Sequence, residues 1–403
     1  MPLSITKTFF LAITSISLAL ALILFPKESL DASIRGMQMW WDVVFPSLLP
    51  FFIVSELLIG FGVVTFIGTL LEPFMRPLFR VPGVGGFVWA MGLASGNPAG
   101  AKITARLRNE KKITRIEAER LVCFTNSANP LFIFGAIAVG FFQDAFLGFL
   151  LAAAHYLGNV FVGFIMRSYG RDEERSSHRY ERSGLITALK LMHQDRLKDG
   201  RPIGKLLGDA VHSSVRTLLM IGGFIILFSV LNKILSIVGV TKLLASLFSI
   251  AFIAFHIPTE LSIPFISGLF EITLGAKLIS QTDVELLEKV VIASFIIAFG
   301  GFSIQSQVAS SLAETDIRFK PFFVARIIHG FLSAIIAYLL WHPIYLKPKL
   351  EEAHAVPVFL KDSSSQWFET CWHLIEQFGA SFTLVMLILF IVLSVQQTLK
   401  KDS

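Results

Sequence analysis

Charge is scarce in this chain. Asp, Glu, Lys and Arg together make up 16% of its 403 residues, against roughly 25% in a soluble globular protein. That deficit excludes an ordinary solvated surface and points to a chain solvated by lipid. Cysteine is nearly absent: Cys123 and Cys371 lie in separate apolar stretches with no C-x-x-C spacing, so neither a disulfide framework nor a thiolate metal centre is expected. The patterns that carry chemistry are missing too, with no H-E-x-x-H, Walker A loop or G-x-S-x-G. The chain therefore reads as a non-enzyme with no catalytic residue, no metal site and no cofactor. Its net charge of +6 does not mark a nucleic-acid binder, because no soluble basic domain carries it.

What the chain has instead is hydrocarbon: 54% of residues are hydrophobic and 39 are Phe. Thr8–Phe25 is long enough for a hydrocarbon core of about 30 Å. Ala19-Leu20-Ala21 imitates a signal cleavage site, but the apolar run continues through Phe25, so a retained span is expected. Further spans are expected at Met39–Val64 (kinked at Pro46 and Pro50, and holding Glu56), Glu119–Phe142, Ala145–Met166, Val211–Val238, Leu286–Leu312, Phe322–Leu346 and Leu374–Val395. Phe66–Arg80 is too polar to cross and suits the interface, with Pro73 and Pro77 expected to break its helix. Leu243–Ile257 is apolar but short. Loops are expected at Pro26–Gly36 and Lys347–Thr370, and a basic loop, part-helical at Leu185–Leu197, fills 167–205 with ten Lys and Arg.

The organising stretch is Gly85–Pro130. An apolar, Gly-rich run breaks at Ala94-Ser95-Gly96-Asn97-Pro98-Ala99-Gly100-Ala101-Lys102, resumes to Leu107, and breaks again at Thr125-Asn126-Ser127-Ala128-Asn129-Pro130. Lipid offers no partner to a free backbone amide, so irregular backbone at membrane depth survives only where protein or a wet cavity covers it. Such interrupted segments point to binding sites. Basic residues set the orientation. With 167–205 in the cytoplasm, Lys7, Arg76, Arg80, the Arg106–Arg115 turn, Arg318, Lys320, Lys400 and Lys401 fall on the same side, provided that Gly85–Leu107 enters and leaves by one face. Both termini are then cytoplasmic.

The pattern recurs. Gly92-Leu93 and Gly100-Ala101-Lys102 are matched by Gly268-Leu269 and Gly275-Ala276-Lys277, and the break at 125–130 is matched by Gly300–Gln307. If Leu243–Ile257 lies in the interface, an odd number of spans separates the hairpins and the second is upside down; if it crosses, the repeats are parallel. The expected fold is an all-α polytopic membrane protein of about eight transmembrane helices plus two re-entrant helical hairpins in an inverted repeat. Its divisions are 1–37 (span and outer loop), 38–168 (first repeat, hairpin 85–107), 169–210 (basic cytoplasmic loop), 211–346 (second repeat, hairpin 260–280) and 347–403 (outer loop and final span).

The hairpin-plus-span unit resembles the Gate, or nucleoside-recognition, repeat shared with concentrative nucleoside transporters. The stretches 92–102 and 123–132 resemble the YlbJ/SpoVV family of sporulation integral membrane proteins, over most of the chain. That resemblance implies a carrier moving dipicolinic acid from the mother cell across the outer forespore membrane. The residues suit a flat dianion, since a broken helix aims N–H groups and a positive dipole end at an anion. Ser95, Gly96 and Asn97 are candidate donors, Asn126, Ser127 and Asn129 candidate lining of the facing span, and Thr273, Ser303, Gln305, Ser306 and Gln307 their counterparts. Lys102 and Lys277 are candidate charge partners. Glu56, Glu260, Glu271 and His329 suit coupling to a proton or sodium, between which nothing here decides, while His155 and His256 suit packing. Expected partners are a small anionic substrate and the bilayer, with homo-oligomer formation left open. A nucleoside carrier of the Gate group and a non-transporting scaffold docking through 167–205 are the competing readings.

Overall fold

With no solvent to bond to in lipid, a chain of this composition must satisfy its backbone within helices. A computed structural model describes residues 2–170 and 185–347, and every regular element among them is helical. In order they are α1 (Pro2–Leu24), α2 (Pro26–Met39), α3 (Phe45–Gly60), α4 (Val63–Phe79), α5 (Val84–Ser95), α6 (Ala99–Asn109), α7 (Arg115–Thr125), a π-helical stretch Leu131–Phe141, and α8 (Leu147–Met166). After the central loop come α9 (Leu185–Asp199), α10 (Ile203–Ile237), α11 (Val240–Ala254), α12 (Ser262–Phe270), α13 (Ile272–Gln281), α14 (Leu286–Phe299), α15 (Gly301–Leu312) and α16 (Phe319–Leu340). The expected span Leu374–Val395, the loop 348–370, the tail Lys400-Lys401 and the loop residues Arg171, Arg175, Arg179 and Arg182 lie outside the described residues.

Four helical stretches are long and apolar enough to cross a membrane, namely Leu147–Met166, Ile203–Ile237, Leu286–Leu312 and Phe319–Leu346, and up to six if each of two bent pairs is counted as one span. The bends are 102° between Thr8–Leu24 and Pro26–Asp42, and 82° between Leu48–Gly60 and Val63–Phe79. Outward faces carry large apolar side chains at helical spacing, such as Phe331, Ile335 and Leu339 on α16. Exposed stripes of that kind have lipid as their natural solvent.

The centre of the fold is the packing of α8 on α16, and the two run antiparallel. The early part of α8 shares an apolar cluster with the end of α16 (Leu147 and Leu151 with Ala337 and Tyr345). Its late part shares another with the start of α16 (Val162 and Met166 with Phe322 and Ala325). At mid-length His329 Nε2 lies 2.8 Å from the His155 carbonyl. Each hairpin belongs to one end of this pair. At the end holding the α16 N-terminus, Arg120 of α7 donates to the carbonyls of Arg80 and Tyr169, and Arg108 at the end of α6 binds Asp316 through two bonds of 2.8 and 2.7 Å. The start of α5 and the finish of α6 thus share one end. At the other end, α12 and α13 fold back on each other so closely that a Cβ on Gly275 would sit 2.1 Å from Gly268 Cα. Lys289 of α14 closes that end with a 3.3 Å bond to the Ser280 carbonyl.

Contacts between the halves are exchanged in pairs. α6 packs on α15 as α13 packs on Leu131–Phe141, and α7 packs on α16 as α14 packs on α8.

Two local expectations need correction. Pro26–Gly36 is not a loop but the first part of α2. Its Ser29, Ala32 and Gly36 are buried, and the missing Cβ of Gly36 lets α10 approach, with Ile226 Cα only 3.0 Å from where that atom would be. One small-residue face was enough to make a charged stretch helical. Pro73 and Pro77 do not break α4, which runs through both to Phe79. Each proline removes a single bond, and the helix stays packed on α5 and α9.

Candidate functional site

The break in α7 is the most polar part of the interior. A helix that stops leaves its last carbonyls without partners, and here side chains from three directions supply them. Asn126 Nδ2 donates to the Val122 carbonyl at 2.8 Å, and Asn159 Nδ2 of α8 donates to that of Phe124 at 2.6 Å. Arg326 of α16 donates through its two Nη groups to the carbonyls of Cys123 and Asn126, and to Asn159 Oδ1 at 3.1 Å. Beyond the break, Ala128 N–H donates to His155 Nε2 at 3.0 Å and Tyr156 Oη donates to the Ala128 carbonyl at 3.0 Å. Asn129 Oδ1 accepts from Phe132 N–H at 2.8 Å and so starts the next helix.

The tip of the first hairpin lies on this break. Gly96 ends α5 at φ +79°, a backbone that favours glycine, with Asn129 Cβ 3.2 Å from where a side chain would begin. Asn126 Oδ1 crosses over to accept from Ala101 N–H at 3.0 Å, which caps α6 from outside. Of the expected residues, Ser95, Gly96, Asn126, Ser127 and Asn129 are buried here and Asn97 is partly buried. The hydroxyls of Ser95 and Ser127 have no partner. Lys102 points away from the tip. Its Nζ is 3.2 Å from Glu56 Oε1 and 3.1 Å from Ser213 Oγ, beside a pocket of about 300 Å³ lined by Glu56, Arg106, Arg201, Asp209, His212 and Ser213.

The second tip is arranged differently. Glu271 alone separates α12 from α13, and its carboxylate accepts from Thr273 N–H at 3.1 Å and Leu274 N–H at 2.7 Å. The positive end of α13 is therefore held by the chain's own acid. The facing break sits at Gly300 and Gly301, with φ +86° and +65°. Gln305 Nε2 donates to the Phe299 carbonyl at 2.9 Å and Gln307 Nε2 donates to Ser303 Oγ at 3.4 Å; these three side chains are buried, Ser306 and Thr273 are partly buried, and Lys277 is exposed. Lys102 and Lys277, matched in sequence, thus meet different surroundings.

The sequence reading missed Arg326, Asn159 and Ser333. Arg326 did carry a signal, as a cation in the interior of an apolar helix. It is 2% exposed. His155 Nδ1, His329 Nδ1, Arg326 Nε and Ser333 Oγ are buried without partners, on the two helices that face the α7 break. Because His155 Nε2 accepts a bond, its neutral ring carries the proton on Nδ1.

Outside the apolar core, charge is tightly paired. Glu119 accepts from Arg318 N–H, Nε and Nη2 and from Tyr169 Oη, all between 2.8 and 3.1 Å. The Arg108 guanidinium holds the Asp316 carboxyl below its usual range, and Arg201 holds that of Asp199 down at about 2. Among the described residues no cluster of three or more His, Cys, Asp or Glu side chains is placed to hold a metal ion.

A family model described as nucleoside recognition (Gate) matches residues 41–145 and 218–315, one match over each hairpin unit. The sporulation integral membrane protein YlbJ of Bacillus subtilis (strain 168) is 56% identical over 396 residues, covering 98% of this chain and 97% of that protein. No solved structure matches.

Proposed function

Since this chain belongs to the family of the sporulation integral membrane protein YlbJ and carries two Gate nucleoside-recognition units, we propose that it is a secondary transporter of a small aromatic dicarboxylate. The cargo is dipicolinic acid, moved from the mother cell across the outer forespore membrane during sporulation. The observation that carries a transport function is the pair of hairpins that start from opposite ends of the α8–α16 pair, each reaching a broken span. In membrane carriers, sites at such repeat interfaces serve alternating access.

The proposed topology has eight spans and two re-entrant hairpins in inverted repeats, with both termini and 169–210 in the cytoplasm and the divisions 38–168 and 211–346 as the repeats. The antiparallel course of α8 and α16 supports inversion. At 15 residues α11 is about 22 Å long, short of a hydrocarbon core. Asn232, near the end of α10, donates to the Ser267 carbonyl of α12 at 3.1 Å, so α11 leaves and returns at one level, as an interfacial helix does. Substrate contact is assigned to Ser95, Gly96, Asn97, Asn126, Ser127 and Asn129, and opposite them to Thr273, Ser303, Gln305, Ser306 and Gln307. Lys102 and Lys277 serve as outlying charge, not tip contacts.

Purified protein in vesicles should accumulate labelled dipicolinate, and Asn97→Ala should lower the initial rate while the protein remains in the membrane. The Gate match favours one second reading, a nucleoside carrier. Accumulation of labelled uridine, with no uptake of dipicolinate and no competition by it, would establish that reading and overturn the first.

A further inference from the structure

In carriers with broken helices, freed backbone carbonyls and helix C-terminal ends commonly coordinate the coupling cation. In this chain the corresponding oxygens are already taken. The carbonyls of Cys123 and Asn126, at the negative end of α7, and Asn159 Oδ1 all accept from the Arg326 guanidinium. The cation is anchored from behind, with the Phe322 ring centroid 5.5 Å from its Cζ. No carboxylate among the described residues bonds it, so its charge is met by backbone and amide oxygens, the ligand set that suits an alkali cation. A mobile sodium ion at those oxygens would have to share them with a fixed positive charge and would be repelled.

We infer that Arg326 is a tethered cation filling the carbonyl cation site of the first broken span, and that the protein therefore works without sodium. The oxygens stay in place to stabilise the break, and the site's specificity is changed from an exchangeable ion to a permanent one. Arg326 is here a positioning residue, acting on the backbone of α7 and not on the cargo. Sodium independence rests on the carrier reading above, whereas the filled site does not.

Two readouts separate them. The first is thermal unfolding of purified protein in sodium chloride against choline chloride at equal ionic strength. Wild type should unfold at the same temperature in both. Arg326→Ala, which opens the site, should unfold earlier in choline and be partly restored by sodium or by methylguanidinium. Arg326→Lys keeps a tethered cation and should remain insensitive to sodium. A wild-type protein stabilised by sodium, or an Arg326→Ala protein indifferent to both sodium and methylguanidinium, would overturn the assignment. Should Arg326→Ala not be recovered folded, wild type and Arg326→Lys decide the matter alone. The second readout is initial dipicolinate uptake with sodium replaced by choline, which should be unchanged for wild type. Dependence of wild-type uptake on sodium refutes the inference while leaving the carrier reading intact. Absence of uptake in either salt refutes the carrier reading, and the unfolding data still judge the site.

Discussion

Gly100 and Gly223 offer a comparison in which one methyl group tests how the first hairpin meets the broken span. A Cβ on Gly100 would lie 2.2 Å from the Thr125 carbonyl oxygen and 2.6 Å from its carbon. Both are backbone atoms that cannot rotate away. Ordinary contact needs more than an ångström of further separation, so Gly100→Ala must push α6 off α7. Overpacking of that kind costs about 1–3 kcal/mol. The shift also stretches the 3.0 Å bond from Ala101 N–H to Asn126 Oδ1, worth about 1 kcal/mol, for a total of about 2–4 kcal/mol. Gly223 is an exposed helical glycine with nothing within 4 Å of its Cβ position. There alanine should be neutral or stabilising by up to about 1 kcal/mol through helix propensity. Unfolding of both variants in lipid nanodiscs can be followed by maleimide labelling of Cys123, which is buried in the native fold. Gly100→Ala should unfold several degrees below wild type and Gly223→Ala at or above it. Equal stabilities would mean that α6 is not seated on Thr125, and the packing of tip against break would have to be abandoned.

Removing the unpartnered hydroxyls of Ser95 and Ser127 breaks no bond, so Ser95→Ala and Ser127→Ala should keep the wild-type unfolding temperature and lower dipicolinate uptake; unchanged uptake would detach them from the cargo. Glu119 accepts bonds from Arg318 and Tyr169 while fully buried, and Glu119→Ala should cost about 2 kcal/mol or more, read as a lower unfolding temperature. Arg201 depresses the folded pKa of Asp199 to about 2, below the usual value of about 3.9. Its contribution is therefore complete above pH about 4 and lost as pH falls through about 2. Hydrogen-exchange protection, relative to the intrinsic rate at each pH, should hold across the α9–α10 turn at pH 4 and fall towards pH 2, and Asp199→Asn should remove that dependence. A loss of protection that begins above pH 5 would refute the pairing.

The helix breaks were legible in the sequence, because the polar or Gly-rich interruptions at 96–98, 126–130 and 300–301 stand out in apolar runs and the helices do stop there. The glycines that mark the repeat proved to be contact points: Gly92 and Gly100 both press on the Thr125 carbonyl, and Gly268 presses on Gly275. What the sequence did not convey is which partner each polar side chain takes. Asn126 and Asn129 read as lining of the facing span, and nothing in the sequence hints that each also bonds backbone. Arg326 reaches oxygens about two hundred positions earlier in the chain, a relation that no local pattern encodes. Lys102 reads as the twin of Lys277 because alignment compares neighbours in sequence, whereas Glu56 and Ser213, which hold it, come from α3 and α10.

That divergence between equivalent positions bears on where an anion could sit. Each hairpin points a helix N-terminus inward, and both are capped. α13 is capped by the Glu271 carboxylate on its own chain, while α6 is capped by the neutral amide of Asn126 from α7. Charge-assisted bonds are roughly twice as strong as neutral ones, so an incoming carboxylate displaces an amide oxygen far more readily than another carboxylate, which would also repel it. The first tip, with a neutral cap and the two unpartnered hydroxyls of Ser95 and Ser127, is the more receptive to an anion. The second is already answered by its own acid. Two hairpin units alike in sequence thus differ in electrostatics at their tips: the neutral Asn126 amide caps α6 where the Glu271 carboxylate caps α13, and Arg326 of α16 has no counterpart cation on α8.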